Sequence, residues 1–165
     1  MSRDGFDLFF RQRYSRAVLL LIVMGASRAD AEDAVQEAMI AAWRQWESIR
    51  EPAAWLRTTA TRTLWKNNRQ QHAAPLEQAT PQPADPDPDL MVFAEEQQRI
   101  LRLLRGLPPA QRTVAALFYD GLTAAEIAVL TGKPVATVRS HLRHARNSLK
   151  EAITSDSLQP PTLDP

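Results

Sequence analysis

Cysteine is absent from all 165 residues of this chain. That excludes a disulfide framework, a cysteine nucleophile, a thiol switch and a cysteine-based zinc site. Histidine is scarce, at three residues, and His141 and His144 have no third ligand near them in sequence. No metal site and no cofactor is expected. Glycine is scarce too, at five residues, and none belongs to a phosphate-cradling loop. With so few candidate groups, an enzyme acting on a small-molecule substrate is not expected. The scarcity of short β-branched runs and of glycine points to an all-α protein. Long apolar runs are also missing. The most apolar stretch, Ala17 to Met24, is too short to span a bilayer as a helix. Arg11, Arg13 and Arg16 before it and Ala29-Asp30-Ala31 after it resemble a secretory signal. Asp4 and Asp7 in the basic flank argue against that. So do Phe6, Phe9, Phe10 and Tyr14, which fall at helical spacing with Val18, Leu21 and Ile22. A buried amphipathic helix, a cytoplasmic location and no membrane insertion are the expectations.

Charge is present in blocks. The formal net charge is only +1, but residues 1–72 carry net +3, residues 73–98 carry six acids and no Lys or Arg, and residues 99–165 carry net +4. Two basic halves flank an acidic segment, which is how two polyanion-binding surfaces hide inside a modest total. Residues 73–89, AAPLEQATPQPADPDPD, hold five prolines and no helical period. They read as an extended linker. At about 3.1 Å per residue it reaches roughly 50 Å, or about fifteen base pairs of duplex.

The most informative stretch is Leu122 to Ala152, LTAAEIAVLTGKPVATVRSHLRHARNSLKEA. Thr123 and Glu126 form the capping-box pattern T-x-x-E. Leu122, Ile127, Ala128 and Leu130 give a first helix its buried side. Gly132 suits the left-handed residue that ends a helix, and Pro134 suits the start of the next. Val135, Val138, Leu142, Ala145 and Leu149 make the second helix's apolar stripe. A basic stripe, Arg139, Arg143, Arg146 and Lys150, runs a quarter turn away. From Lys133 to Lys150 there are five basic residues and no acid. A helix-turn-helix with an exposed basic second helix fits a major-groove reader. Solvation alone explains neither the missing acids nor the turn chemistry. Thr137, Ser140, Arg143 and His144 are candidates for base edges. Lys133, Arg139, Arg146 and Lys150 are candidates for phosphates.

Taken in order, residues 5–25 form a first helix broken by Gly25 and Ser27. Asp30 opens a second, DAEDAVQEAMIAAWRQW, to about Trp46. Val35, Met39, Ala42 and Trp46 are its buried stripe. Asp33, Gln36, Glu37, Ile40 and Arg44 lie on the other side; composition alone makes this a solvated face, with exposed Ile40 hinting at a partner. After the loop Glu47–Glu51, Pro52 starts a third helix to about Gln71. Leu56, Ala60, Thr63 and Leu64 face inward; Arg62, Lys66 and Arg69 line the outside with Trp65 beside them. Such interleaving suits unpaired nucleic acid, on which an indole stacks. Core packing is the competing reading for Trp65 and the favoured one for Trp55. A helix from Leu90 to Arg105 uses Leu101 and Leu104 for core, and one from Ala110 to Tyr119 uses Val114, Leu117 and Phe118. The tail from Thr154 is expected to be disordered.

Three segments, DAEDAVQEAMIAAWRQW, PAAWLRTTATR and LRGLPPAQRTVAALFYDGLTAAEIAVLTGKPVATVRSHLRHARNSLK, together resemble the extracytoplasmic-function (ECF) sigma factors of bacterial RNA polymerase. The resemblance implies two small helical domains. Residues 1–72 would be sigma region 2, 73–95 the linker, 96–153 the region 4 helix-turn-helix and 154–165 a disordered tail. It implies that Asp33, Gln36, Glu37, Ile40 and Arg44 dock on the clamp helices of the largest polymerase subunit. Ser48 and Arg50 of the loop, with Arg62, Trp65, Lys66 and Arg69, would read and open the −10 element. The second helix of the helix-turn-helix would read the −35 element, and the flap of the second-largest subunit and an anti-sigma factor are further implied partners. The sequence departs from the family's pattern at Thr59-Ala60-Thr61-Arg62, where I-A-R-N is usual. It departs again at Lys66, where Asp is common, at Ala136, usually Gly, and at His141, usually Arg. Two other functions stay open: a free-standing helix-turn-helix regulator of duplex DNA, and a sigma-like decoy that binds polymerase without opening promoters.

Overall fold

A computed structural model describes residues 3–71 and 95–157. Seven α-helices and one short 3-10 turn account for the secondary structure, with no strand among the described residues. The chain divides into two compact units, one within residues 1–80 and one within 81–165. The linker expected over 73–95 falls almost wholly outside the described residues.

In the first unit, α1 (Arg3–Val23), α2 (Arg28–Arg44) and α3 (Pro52–Gln71) pack against one another. Helix α1 ends where Gly25, at φ 109°, turns the backbone. Helix α2 starts one half-turn earlier than expected from Asp30. Ser27 is its N-cap, and the Ser27 hydroxyl accepts from the Asp30 N–H at 3.1 Å. Ala31, Ala34, Val35, Ala38, Met39 and Ala42 are buried along its inner side. These small residues let α1 and α3 approach closely. The helix stops at Arg44, and Trp46, expected to finish it, instead sits buried in the 3-10 turn Trp46–Ser48. Phe6 makes edge contacts with Trp43 at 5.0 Å and Trp46 at 5.2 Å, which ties α1 to the end of α2. In α3, Leu56, Ala60, Thr63 and Leu64 are buried as expected, and so are Thr61 and Asn68.

In the second unit, α4 (Glu95–Arg105), α5 (Pro109–Tyr119), α6 (Ala124–Thr131) and α7 (Val135–Ser157) surround Leu101, Leu104, Val114, Leu117, Ile127, Val138, Leu142 and Ala145. The first residues of the helix expected from Leu90 lie outside the described range. Arg112 is buried between α4 and α5, and its Nη1 donates to the Arg105 carbonyl at the end of α4 at 3.4 Å. Burial lowers the pKa of both guanidinium groups, and the Arg112 charge lowers that of Arg105 further. Two expectations fail here. Phe118, expected in the core, is 40 % exposed, because it stands at the α5–α7 seam rather than inside. Residues 154–157, expected to belong to a disordered tail, continue α7 to Ser157. The Thr154 and Ser155 hydroxyls donate to the Lys150 and Glu151 carbonyls one turn back, so these polar residues are satisfied within the helix.

Candidate polymerase and nucleic-acid interfaces

The outer side of α2 carries Asp33, Gln36, Glu37, Ile40 and Arg44, all exposed. Their i, i+3, i+4, i+7 and i+11 spacing places them on one face, opposite the buried alanines. Ile40, 54 % exposed, stands in the middle of that face among acids. Gln36 Nε2 donates to the Tyr14 hydroxyl at 3.3 Å, which fixes the edge nearest α1. Trp43, on the same edge, is 42 % exposed and braced by Phe6. An apolar centre with a charged surround on a rigid helix is the anatomy of a protein-binding face.

The second group lies on α3 and the turn before it. Ile49 and Trp46 are buried and anchor the turn, so Ser48 and Arg50 on either side of Ile49 are exposed. The Ser48 hydroxyl is already committed to the Gln45 carbonyl at 2.8 Å, leaving its lone pairs outward. Arg62, Lys66 and Arg69 are exposed and Trp65 is half-buried beside them. Arg69 Nε donates to the Trp65 carbonyl at 3.3 Å, which draws the guanidinium back over the helix. Trp55, expected in the core, is also only half-buried. It lies two turns before Arg62 on the same face, so the stripe starts with an indole: Trp55, Thr58 and Thr59, Arg62, Trp65 and Lys66, then Arg69. The i−7 spacing from Arg62 was the available signal, and the apolar nature of tryptophan obscured it. Where the sequence departs from I-A-R-N, Thr59 is half-buried, Thr61 is buried and Arg62 is exposed, while Ala60 keeps the usual alanine. Thr61 thus alters the core, and Arg62 and Lys66 alter the surface.

The third group is the helix-turn-helix formed by α6 and α7. The Thr123 hydroxyl accepts from the Glu126 N–H at 3.2 Å, and the Glu126 carboxylate accepts from the Thr123 N–H at 2.7 Å. This closes the capping box at the start of α6. Gly132, at φ 70°, ends it in the left-handed conformation. On α7, Val138, Leu142 and Ala145 are buried. At about 100° per residue, Ser140, Arg143 and His144 lie near the centre of the opposite, exposed side, with Thr137 at its edge. Arg139, Arg146 and Lys150 flank that side along one border, and all three are exposed. Lys133 is half-buried in the turn. Asn147, exposed one turn after Arg143, shares the central face and was not singled out from sequence. The Arg146 guanidinium carbon lies 5.4 Å from the centre of the Phe118 ring.

Two family models match the chain in this order: Sigma-70 region 2 over residues 10–73 and Sigma-70, region 4 over residues 97–149. The chain is a sigma factor of the sigma-70 family. It stands with the ECF members. It is 26% identical to the ECF RNA polymerase sigma factor SigK of Mycobacterium ulcerans, over 92% of this chain and 87% of that protein. It is 29% identical to the RNA polymerase sigma-E factor of Streptomyces coelicolor, over 82% and 78%. Its fold is similar to that of the sigma factor RpoE of Bartonella quintana, solved in complex with the anti-sigma factor NepR. The TM-score is 0.63 at 21% identity, covering 92% of this chain and 98% of that one. As a sigma factor, the chain is the RNA polymerase subunit that directs promoter-specific initiation. The matched regions include α2 and α3 on one side and α6 and α7 as far as Leu149 on the other, so all of the three exposed groups except Lys150 fall within them.

Proposed function

We propose that the sigma factor divides promoter selection among these three faces. The α2 face, centred on Ile40 and Glu37 with Asp33, Gln36 and Arg44, docks on the clamp helices of the largest polymerase subunit. Ser48, Arg50 and the α3 stripe of Arg62, Trp65, Lys66 and Arg69 engage the −10 element, with unpaired bases stacking on indole and phosphates held by the cations. Helix α7 enters the major groove at the −35 element. Thr137, Ser140, Arg143 and His144 meet base edges, while Lys133, Arg139 and Arg146 hold phosphates. The second unit also meets the flap of the second-largest subunit.

The observation that carries this assignment is the partition on α7. Hydrogen-bonding side chains of several types occupy the centre of its exposed face, and like-charged cations occupy the border. That is the layout expected when one helix must both read bases and grip a backbone. On this reading the protein works by binding and performs no bond chemistry of its own; unpairing is offset by stacking and hydrogen bonds to the captured strand. It acts in the cytoplasm, and no helix among the described residues is long and apolar enough to cross a membrane. An anti-sigma partner belongs to the proposal, supported by the RpoE complex with the anti-sigma factor NepR.

Reconstituting the chain with core polymerase and mapping run-off transcripts on genomic fragments tests the proposal. Discrete start sites that share upstream elements are expected. Core binding without transcripts would favour the decoy, and DNA binding without core binding would favour a free-standing regulator.

A further inference from the structure

Phe118 and Arg146 form a unit in which the roles above give Phe118 no part. Phe118 sits near the end of α5, with two-fifths of its surface open although it is a large apolar side chain. Arg146 sits on the border of α7, and its guanidinium carbon is 5.4 Å from the Phe118 ring centre. This is within the range at which a ring face attracts a cation. The geometry of a guanidinium gives the contact a consequence. A guanidinium whose face takes up a ring keeps all five N–H donors in the plane of the group, pointing away from that ring. Stacking therefore leaves the edge free for a phosphate while removing rotamer freedom that binding would otherwise have to freeze. Arg139 and Lys150, on the same border, have no aromatic face among the ring contacts described, so Arg146 is the preorganised member of the row.

We infer that Phe118 is a positioning residue for DNA binding: it holds the Arg146 guanidinium flat against α5 so that its edge meets one backbone phosphate beside the reader helix. The inference rests on the proposed −35 role of α7. It explains why a large apolar side chain stays half open at the α5–α7 seam. It also sets a chemical requirement: the position needs an aromatic face, not merely an apolar side chain.

The test uses the full chain bound to core polymerase and a duplex selected from a randomised pool by that holoenzyme. Phe118→Leu is expected to weaken binding about two- to fivefold, the range of an exposed cation–π contact. Phe118→Tyr, which keeps the ring, is expected to bind like wild type. Arg146→Ala is expected to lower the slope of log affinity against log salt by about 0.9, the loss of one phosphate contact. Phe118→Leu should add nothing in the Arg146→Ala background. A purely structural role would weaken both backgrounds equally and would not distinguish Tyr from Leu by ring character; either result overturns the inference. Arg143→Ala serves as the control for the underlying reading. If Arg143→Ala loses discrimination while Phe118→Leu changes nothing, the −35 role stands and the positioning role falls. If neither Arg143→Ala nor Arg146→Ala affects binding, the −35 role of α7 falls with it.

Discussion

Arg143 is the only cation at the centre of the exposed face of α7; the other basic residues of the helix lie on its border. A central arginine can give a bidentate contact to a guanine edge, worth about 1–3 kcal/mol of discrimination. Arg143→Ala is therefore expected to weaken binding to a selected −35 duplex about tenfold or more and to leave random duplex nearly unchanged. Competition between the two duplexes checks it; equal loss on both would move Arg143 to the phosphate row. On α3 the two indoles permit a sharper comparison. Trp65→Ala should spare core binding but reduce promoter opening, read as permanganate reactivity of unpaired thymines, since stacking contributes about 1–3 kcal/mol per base. Trp55→Ala, at the opposite end of the stripe, reports whether the stripe acts along its whole length. Unchanged reactivity in both variants would return the pair to packing. Residue identity made the cations legible in sequence, because Arg62, Lys66, Arg69, Arg139, Arg143 and Arg146 all stay exposed where their helical spacing puts them. It did not make the aromatics legible. Tryptophan and phenylalanine suit a core and a stacking surface equally, and only the fold separates buried Trp46 from half-open Trp55 and exposed Phe118.

Helix α6 shows what an element owes to its ends. It has eight residues, fewer than an isolated helix needs to persist in water, so caps and packing must hold it. Thr123→Ala breaks the capping box and should cost about 1 kcal/mol. Gly132→Ala should cost about 1–2 kcal/mol, from the left-handed backbone that a β-carbon disfavours. That cost is conformational only, since nothing lies within 4 Å of the added atom. Urea unfolding of the full chain measures both. An unchanged midpoint for Gly132→Ala would mean that the turn relaxes to another conformation without loss. These features were readable because they are local: T-x-x-E and a glycine nine residues after the cap leave little choice. Element ends set by longer-range packing were not readable. Trp46 continued the apolar period of α2, yet the helix stops at Arg44 so that the indole can turn in against Phe6 and Phe9. At the other terminus, threonine and serine looked like a loop and instead extend α7.

At the scale of the molecule, charge and apolar surface are sorted by task. The α2 face carries the acids and an exposed isoleucine, whereas the outer faces of α3 and α7 carry cations. On the proposed reading, a surface for protein and two surfaces for polyanion are thereby carried by three different helices. Replacing one acid at the docking face tests that separation. Glu37 is exposed one turn from Ile40, so Glu37→Arg buries nothing and should leave the fold unchanged. It does invert the charge beside the apolar centre of the face. Like charges brought together across an interface cost several kcal/mol, so binding to core polymerase should fall by two orders of magnitude or more. Binding of the free chain to duplex through α7 should be unaffected, because no α7 residue changes. Transcription from cognate promoters should then fail at assembly rather than at recognition. Core affinity, duplex affinity and run-off transcription measured on the same preparation separate the cases. If Glu37→Arg binds core as wild type does, the docking face lies elsewhere. If it loses duplex binding as well, the protein and polyanion surfaces are not independent.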